Sequence, residues 1–153
     1  MKLSLSQSVQ VLCAVFLAVS LPAAAQVNTW TGSISNDYST AGNWSAGSVP
    51  NLTTGITALI NNGNAVTYNA TTDFLISNNS TLEISNGSWT QTGGNNWIQL
   101  QGNGNILIDG GTFNQGTAGN NPFNISNSGN TFTITSGAAN FNASLTSNSA
   151  GVT

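Results

Sequence analysis

One pattern returns roughly every 24 residues along this chain, and it leaves few folds open. The segment Thr81-Leu82-Glu83-Ile84-Ser85-Asn86-Gly87-Ser88-Trp89 recurs 24 positions later as Asn105-Ile106-Leu107-Ile108-Asp109-Gly110-Gly111-Thr112-Phe113. Both run polar, apolar, variable, apolar, polar, turn residue, Gly, hydroxyl, aromatic. Counting back 24 positions gives Thr57-Ala58-Leu59-Ile60-Asn61-Asn62-Gly63-Asn64-Ala65, with Asn62-Gly63 falling on Asn86-Gly87. A fourth copy, Thr131-Phe132-Thr133-Ile134-Thr135-Ser136-Gly137, starts 26 positions after the third. A second short apolar piece precedes each later copy: Phe74-Leu75-Ile76, Ile98-Gln99-Leu100 and Phe123-Asn124-Ile125. Each unit thus holds three short faces, the last led by Trp89, Phe113 or Ala139.

Fixed-period self-similarity is the signature of a solenoid. A strand of three to five residues cannot bury its apolar side alone. Wound into a coil and stacked at ~4.8 Å on the next, it pairs its backbone above and below. Alternation then sends Leu82 and Ile84, Ile106 and Ile108, and Phe132 and Ile134 inward. Asn suits the corners because it tolerates left-handed backbone, and Gly supplies positive φ. The expected fold is all-β: a right-handed parallel β-helix of about four coils of 24–26 residues. A β-sandwich of short strands also needs frequent turns. It gives no reason for turn, Gly and apolar positions to recur in step.

Composition agrees. The chain has 24 Asn, 17 Gly, 19 Thr and 19 Ser, but only five charged residues: Lys2, Asp37, Asp73, Glu83 and Asp109. Disordered chains combine high net charge with few β-branched and aromatic residues. Here the net charge is −3, and Ile, Val, Leu, Phe and Trp recur throughout.

The N-terminus reads as a signal peptide over residues 1–25. Lys2 is followed by the apolar run Val9 to Leu21, then Pro22 and Ala23-Ala24-Ala25, a small-residue cleavage site. The run is short for a spanning helix of ~20 residues. Cys13 lies inside it, preceded by Leu12 and not by the small residue a lipoprotein site requires. The processed chain is expected to carry no thiol, Lys or Arg. Nucleic acid and anionic membranes are both read by Lys and Arg, so neither is an expected partner.

Residues 26–55 break the repeat and are expected to cap the first coil, because terminal solenoid units are atypical. Trp30-Thr31-Gly32, Asp37-Tyr38, Ala41-Gly42-Asn43-Trp44-Ser45 and Gly47-Ser48-Val49-Pro50 run through this head. It resembles the opening of bacterial exported surface proteins, including autotransporter-type passengers and proteins sorted by a C-terminal PEP-type signal. Tyr38 replaces the usual Trp. The resemblance covers about 20 residues closely and the repeat style loosely. It implies secretion or a cell-surface location and carries no catalytic residues. Residues 56–153 are expected to be the repeats. By the open-edge argument they should continue past Thr153, making the chain a fragment.

Little chemistry is visible. Glycoside hydrolysis needs two carboxylates at ~5–9.5 Å. Glu83 and Asp109 are 26 positions apart, so neighbouring coils bring them near. But Glu83 falls on an outward column, and Asp109 precedes a Gly turn. Tyr38 and Tyr68 are the only other candidate bases. With no His, Ser and Thr lack an activating partner. Metal sites lack ligands. The chain is therefore expected not to be an enzyme, and to use no cofactor or metal. The expected role is structural or adhesive, with glycans or another cell surface as partners and end-to-end self-association. Alternatives are a carbohydrate-binding or polysaccharide-active β-helix, then an amyloid-like matrix or ice-binding protein. Trp97, just before a strand, is the candidate carbohydrate contact. Trp89, in an apolar column, reads as core.

Overall fold

The computed structural model describes residues 25–69, 72–116, 122–126 and 129–147. The signal-peptide reading with Cys13, and the expected continuation past Thr153, lie outside the described residues. Among the described residues eleven strands follow one another: β1 Val27–Thr29, β2 Thr57–Ile60, β3 Ala65–Tyr68, β4 Phe74–Ile76, β5 Thr81–Ile84, β6 Ser88–Gln91, β7 Ile98–Leu100, β8 Asn105–Asn114, β9 Phe123–Ile125, β10 Thr131–Asn140 and β11 Leu145–Ser147. A 3-10 turn at Ala41–Asn43 is the sole helical piece among the described residues.

Every ladder between these strands is parallel. Parallel pairing arises because each strand meets its counterpart one winding later, with no hairpin between them. The first face stacks β2, β5, the first half of β8 and the first half of β10. The second stacks β3, β6 and the second halves of β8 and β10. The third stacks β4, β7, β9 and β11. The protein is a parallel β-solenoid.

Register turns the repeat into columns. Ala58, Leu82, Ile106 and Phe132 stand over one another, as do Ile60, Ile84, Ile108 and Ile134. On the third face Phe74, Ile98 and Phe123 form one column, and Ile76, Leu100 and Ile125 another. All are buried except Phe132, which is partly buried, and Ile134. On the second face Trp89 stacks on Phe113 with ring centroids 5.1 Å apart and planes 6° apart. Trp89 is core, fully enclosed.

The structure corrects the sequence expectation at two places. First, a strict 24-residue step lays Ala65 against Trp89, but Val66 takes that place and Ala65 pairs with Ser88. The corner Asn62-Gly63-Asn64 holds one residue more than Asn86-Gly87, and the offset keeps the larger Val66 inside. Second, the four repeats enclose about three turns instead of four coils. The fourth repeat is the last described rung. It pairs with β8 alone and is exposed along most of its length, with Ile134 at 48%. Alternation points Ile134 at the core axis, but burial needs a neighbour on both sides.

Glycine sets the corner between the first and second faces. Gly87, at φ +110°, lies directly against the Asn64 carbonyl, and Gly137, at +93°, against that of Gly111. A Cβ at either place would strike backbone, so the close approach of successive corners requires glycine. The corners before the first-face strands use Asn in the left-handed region instead, at Asn78, Asn79 and Asn103. Outside the core, polar side chains bridge rungs. Asn114 donates to Thr90 at 3.0 Å, and Asn140 donates to Asn114 at 2.7 Å.

The head is an irregular winding laid under the first coil. β1 pairs with β2, the Tyr38 amide donates to Thr67 under β3, and the Ser77 amide donates to Leu52 beyond β4. Trp30, Tyr38, Trp44 and Leu52 are buried and close this end of the core. Tyr38 makes edge contacts with Trp44 at 5.0 Å and with Phe74 at 5.2 Å. Asn43, fully buried, holds the loop together. Its side chain accepts from the Ile34 and Ser35 amides and donates to Ser35 Oγ and the Asp37 carbonyl, all at 2.9 Å.

Candidate functional site

The four carboxylates are dispersed, and two of them, Asp37 and Asp109, serve local structure. Asp37 accepts from the Ser39 amide at 3.0 Å and from Thr40 Oγ1 at 3.2 Å, closing a turn in the head. Asp109 accepts from Thr135 Oγ1 at 2.6 Å and Ser136 Oγ at 3.3 Å, tying β8 to β10. Glu83 stands opposite Leu107 on the outward column, so Asp109 lies two residues further along the neighbouring rung. Among the described residues no three His, Cys, Asp or Glu side chains come together.

Asp73 behaves differently, because it organises a surface. It immediately precedes β4, and Trp97 precedes β7, so the register of these strands sets the two side by side. Asp73 Oδ1 accepts from the Trp97 amide at 2.8 Å, and Asp73 Oδ2 accepts from Gln99 Nε2 at 2.7 Å. Gln99 Oε1 in turn accepts from Gln101 Nε2 at 2.7 Å. The Trp97 carbonyl accepts from the Phe74 amide at 2.7 Å, so both sides of the Trp97 backbone are anchored. Ile98 and Leu100 point into the core, so alternation turns Trp97, Gln99 and Gln101 outward. Trp97 is 41% exposed, whereas Trp30, Trp44 and Trp89 are each at most 2% exposed. The result is one anchored, solvent-facing indole beside a hydrogen-bonded carboxylate–amide–amide chain.

A groove of about 330 Å³ adjoins this surface, with Tyr38, Pro50, Leu52, Tyr68, Asp73 and Phe74 among its walls. Asp73 therefore belongs to both. Tyr68 donates to the Thr72 carbonyl at 3.0 Å. The buried Tyr38 hydroxyl has no hydrogen-bond partner. Burial, and then the neighbouring Tyr68, push the Tyr38 phenol far above its ordinary range, so it stays neutral. Burial also raises Tyr68. Neither phenol is suited to act as a base at neutral pH.

Sequence reasoning singled out Trp97 but missed Asp73, Gln99 and Gln101 as its companions. The repeat carried the signal: adding 24 to 73 gives 97, and Gln99 follows at the same strand parity. No protein-family model matches the chain, and no curated protein or solved structure is significantly similar to it.

Proposed function

We propose that this chain is a non-catalytic structural and adhesive element of an exported surface protein. The observation that carries the reading is the division of the solenoid into a closed apolar core and a nearly uncharged outer face. Core columns run through the first three rungs of every face, while the outside is mostly Asn, Thr, Ser and Gln, several of them bridged from rung to rung, with Leu59, Leu75, Glu83 and Leu107 among them. Stacked windings add length without adding a catalytic cleft, which suits a spacer that carries a contact surface outward. The carboxylates support the same reading, since Asp37, Asp73 and Asp109 are engaged in turns and rung ties.

The test is to express the full chain with its own leader in a non-adherent bacterial host. Surface exposure is verified by antibody on intact cells. Attachment to cultured cells and to immobilised polysaccharides should exceed that of the empty host. Exposed protein with no gain in attachment on any surface refutes the adhesive reading.

A further inference from the structure

We infer that the surface built around Trp97 is a binding site for an uncharged saccharide. The inference deepens the adhesive reading and rests on it. Three observations converge. The first is the indole: Trp97 is the one tryptophan of the four that solvent reaches appreciably, and it stands immediately before β7 with its backbone hydrogen-bonded on both sides to Asp73 and Phe74. An aromatic face with one polar edge suits a partner that is apolar on one side and wet on the other. A pyranose, with axial C–H groups on its faces and hydroxyls around its rim, has that character.

The second is the order imposed on the neighbouring polar groups. Gln99 is held by Asp73, and Gln101 is held by Gln99, each at 2.7 Å. A primary amide has two N–H donors and a carbonyl with two lone pairs. The chain therefore uses one donor of each Gln and leaves the other for a ligand. Gln101 Oε1 remains an acceptor. Side chains at alternate strand positions lie ~6.6 Å apart, so Trp97 and Gln99 present a stacking face and an amide within one sugar unit's reach. Because the amides are fixed beforehand, binding immobilises few rotamers.

The third is charge. The one Lys of the chain is Lys2, and there is no Arg or His. No described cation stands near the patch to neutralise a uronate, sulfate or sialate, and Asp73 repels such groups. An apolar peptide is also a poor match, because the Asp73 carboxylate is bonded to the Trp97 amide and to Gln99, two residues along from Trp97, and so stands on the same surface.

Tryptophan exposure supplies a direct assay. Acrylamide quenching of the purified protein reports mainly on Trp97, since the other three indoles are buried. Cellohexaose, mannohexaose and chitohexaose serve as uncharged probes, and hexagalacturonate as the charged one. At least one uncharged probe should reduce quenching at millimolar concentration, while hexagalacturonate should not. By calorimetry, Trp97→Ala should weaken binding at least tenfold and Gln99→Ala several-fold, with Trp97→Tyr near wild type. The core contacts are untouched, and far-UV circular dichroism confirms the fold. No protection by any uncharged probe, protection by hexagalacturonate alone, or undiminished binding by Trp97→Ala overturns the inference. The host-cell assay separates the two proposals. Attachment that survives excess uncharged oligosaccharide but is lost on protease treatment of the target leaves adhesion standing and removes the saccharide site.

Discussion

Ile108 and Ile134 occupy the same column one rung apart, yet the same truncation should cost very different amounts at the two places. Ile108 is fully buried between Ile84 and Ile134, whereas Ile134 is 48% exposed. Changing Ile to Ala deletes three carbons, a transfer loss of about 2.4 kcal/mol when all were buried. At Ile108 the neighbours are fixed by rung pairing and cannot collapse inward, so a cavity contribution brings the total to about 3–4 kcal/mol. At Ile134 half the surface is already wet and the open side leaves no cavity, so the loss is about 1 kcal/mol. With an unfolding slope of ~2 kcal/mol per M urea, the midpoint should fall by about 1.5–2 M for Ile108→Ala and about 0.5 M for Ile134→Ala. Urea titration followed by tryptophan fluorescence reads both values. Residue type, strand parity and column are identical, so the difference isolates coverage by the next rung. Equal shifts, or a larger one at Ile134, would refute the claim that burial in this fold is conferred by neighbouring windings.

Two glycines with positive φ make a second matched pair. Gly47, at +66°, has nothing near a built Cβ, whereas Gly87 has the Asn64 backbone against it. Gly47→Ala should cost about 1–2 kcal/mol for left-handed backbone alone. Gly87→Ala should cost at least about 3 kcal/mol, because corners must also separate, and thermal denaturation of the two variants checks the order. In alkali, the raised Tyr38 phenol makes the folded state hold a proton that the unfolded chain releases. Stability from this group is complete below the unfolded phenol value of ~10 and declines as pH rises above it. Absorbance at 295 nm should show Tyr38 ionising only within the cooperative unfolding step. An ionisation completed before unfolding would contradict its burial.

The columns were readable in the sequence because like residues recur at a constant interval: Ile84 and Ile108, Trp89 and Phe113, Phe74 and Ile98. Two errors came from properties that single residues do not display. The Asn-Gly match at 62–63 and 86–87 concealed an extra residue, Asn64, and the true pairing of Val66 with Trp89 is decided by which side chain fills the core. Ile134 looks like Ile108 in the sequence, but its burial depends on what stacks against β10. Trp97 could be singled out in the sequence because it stands just before a strand and outside the apolar columns. Its polar companions could not, because the Asp73–Gln99–Gln101 chain is made by rotamers, which spacing does not specify.

Every strand ladder in this solenoid joins residues between 22 and 30 positions apart. Among the described residues no strand hairpin is present to seed the fold cheaply. Closing the first loop of that length costs on the order of 3 kcal/mol in chain entropy before any ladder repays it. Each later loop is no longer than the first, so the penalty stays level as the rod extends. Lengthening by a whole winding therefore leaves every existing contact in place. Inserting one residue inside a strand turns its inward column to water, and this architecture tolerates change of length in units of about 24 residues far better than in units of one.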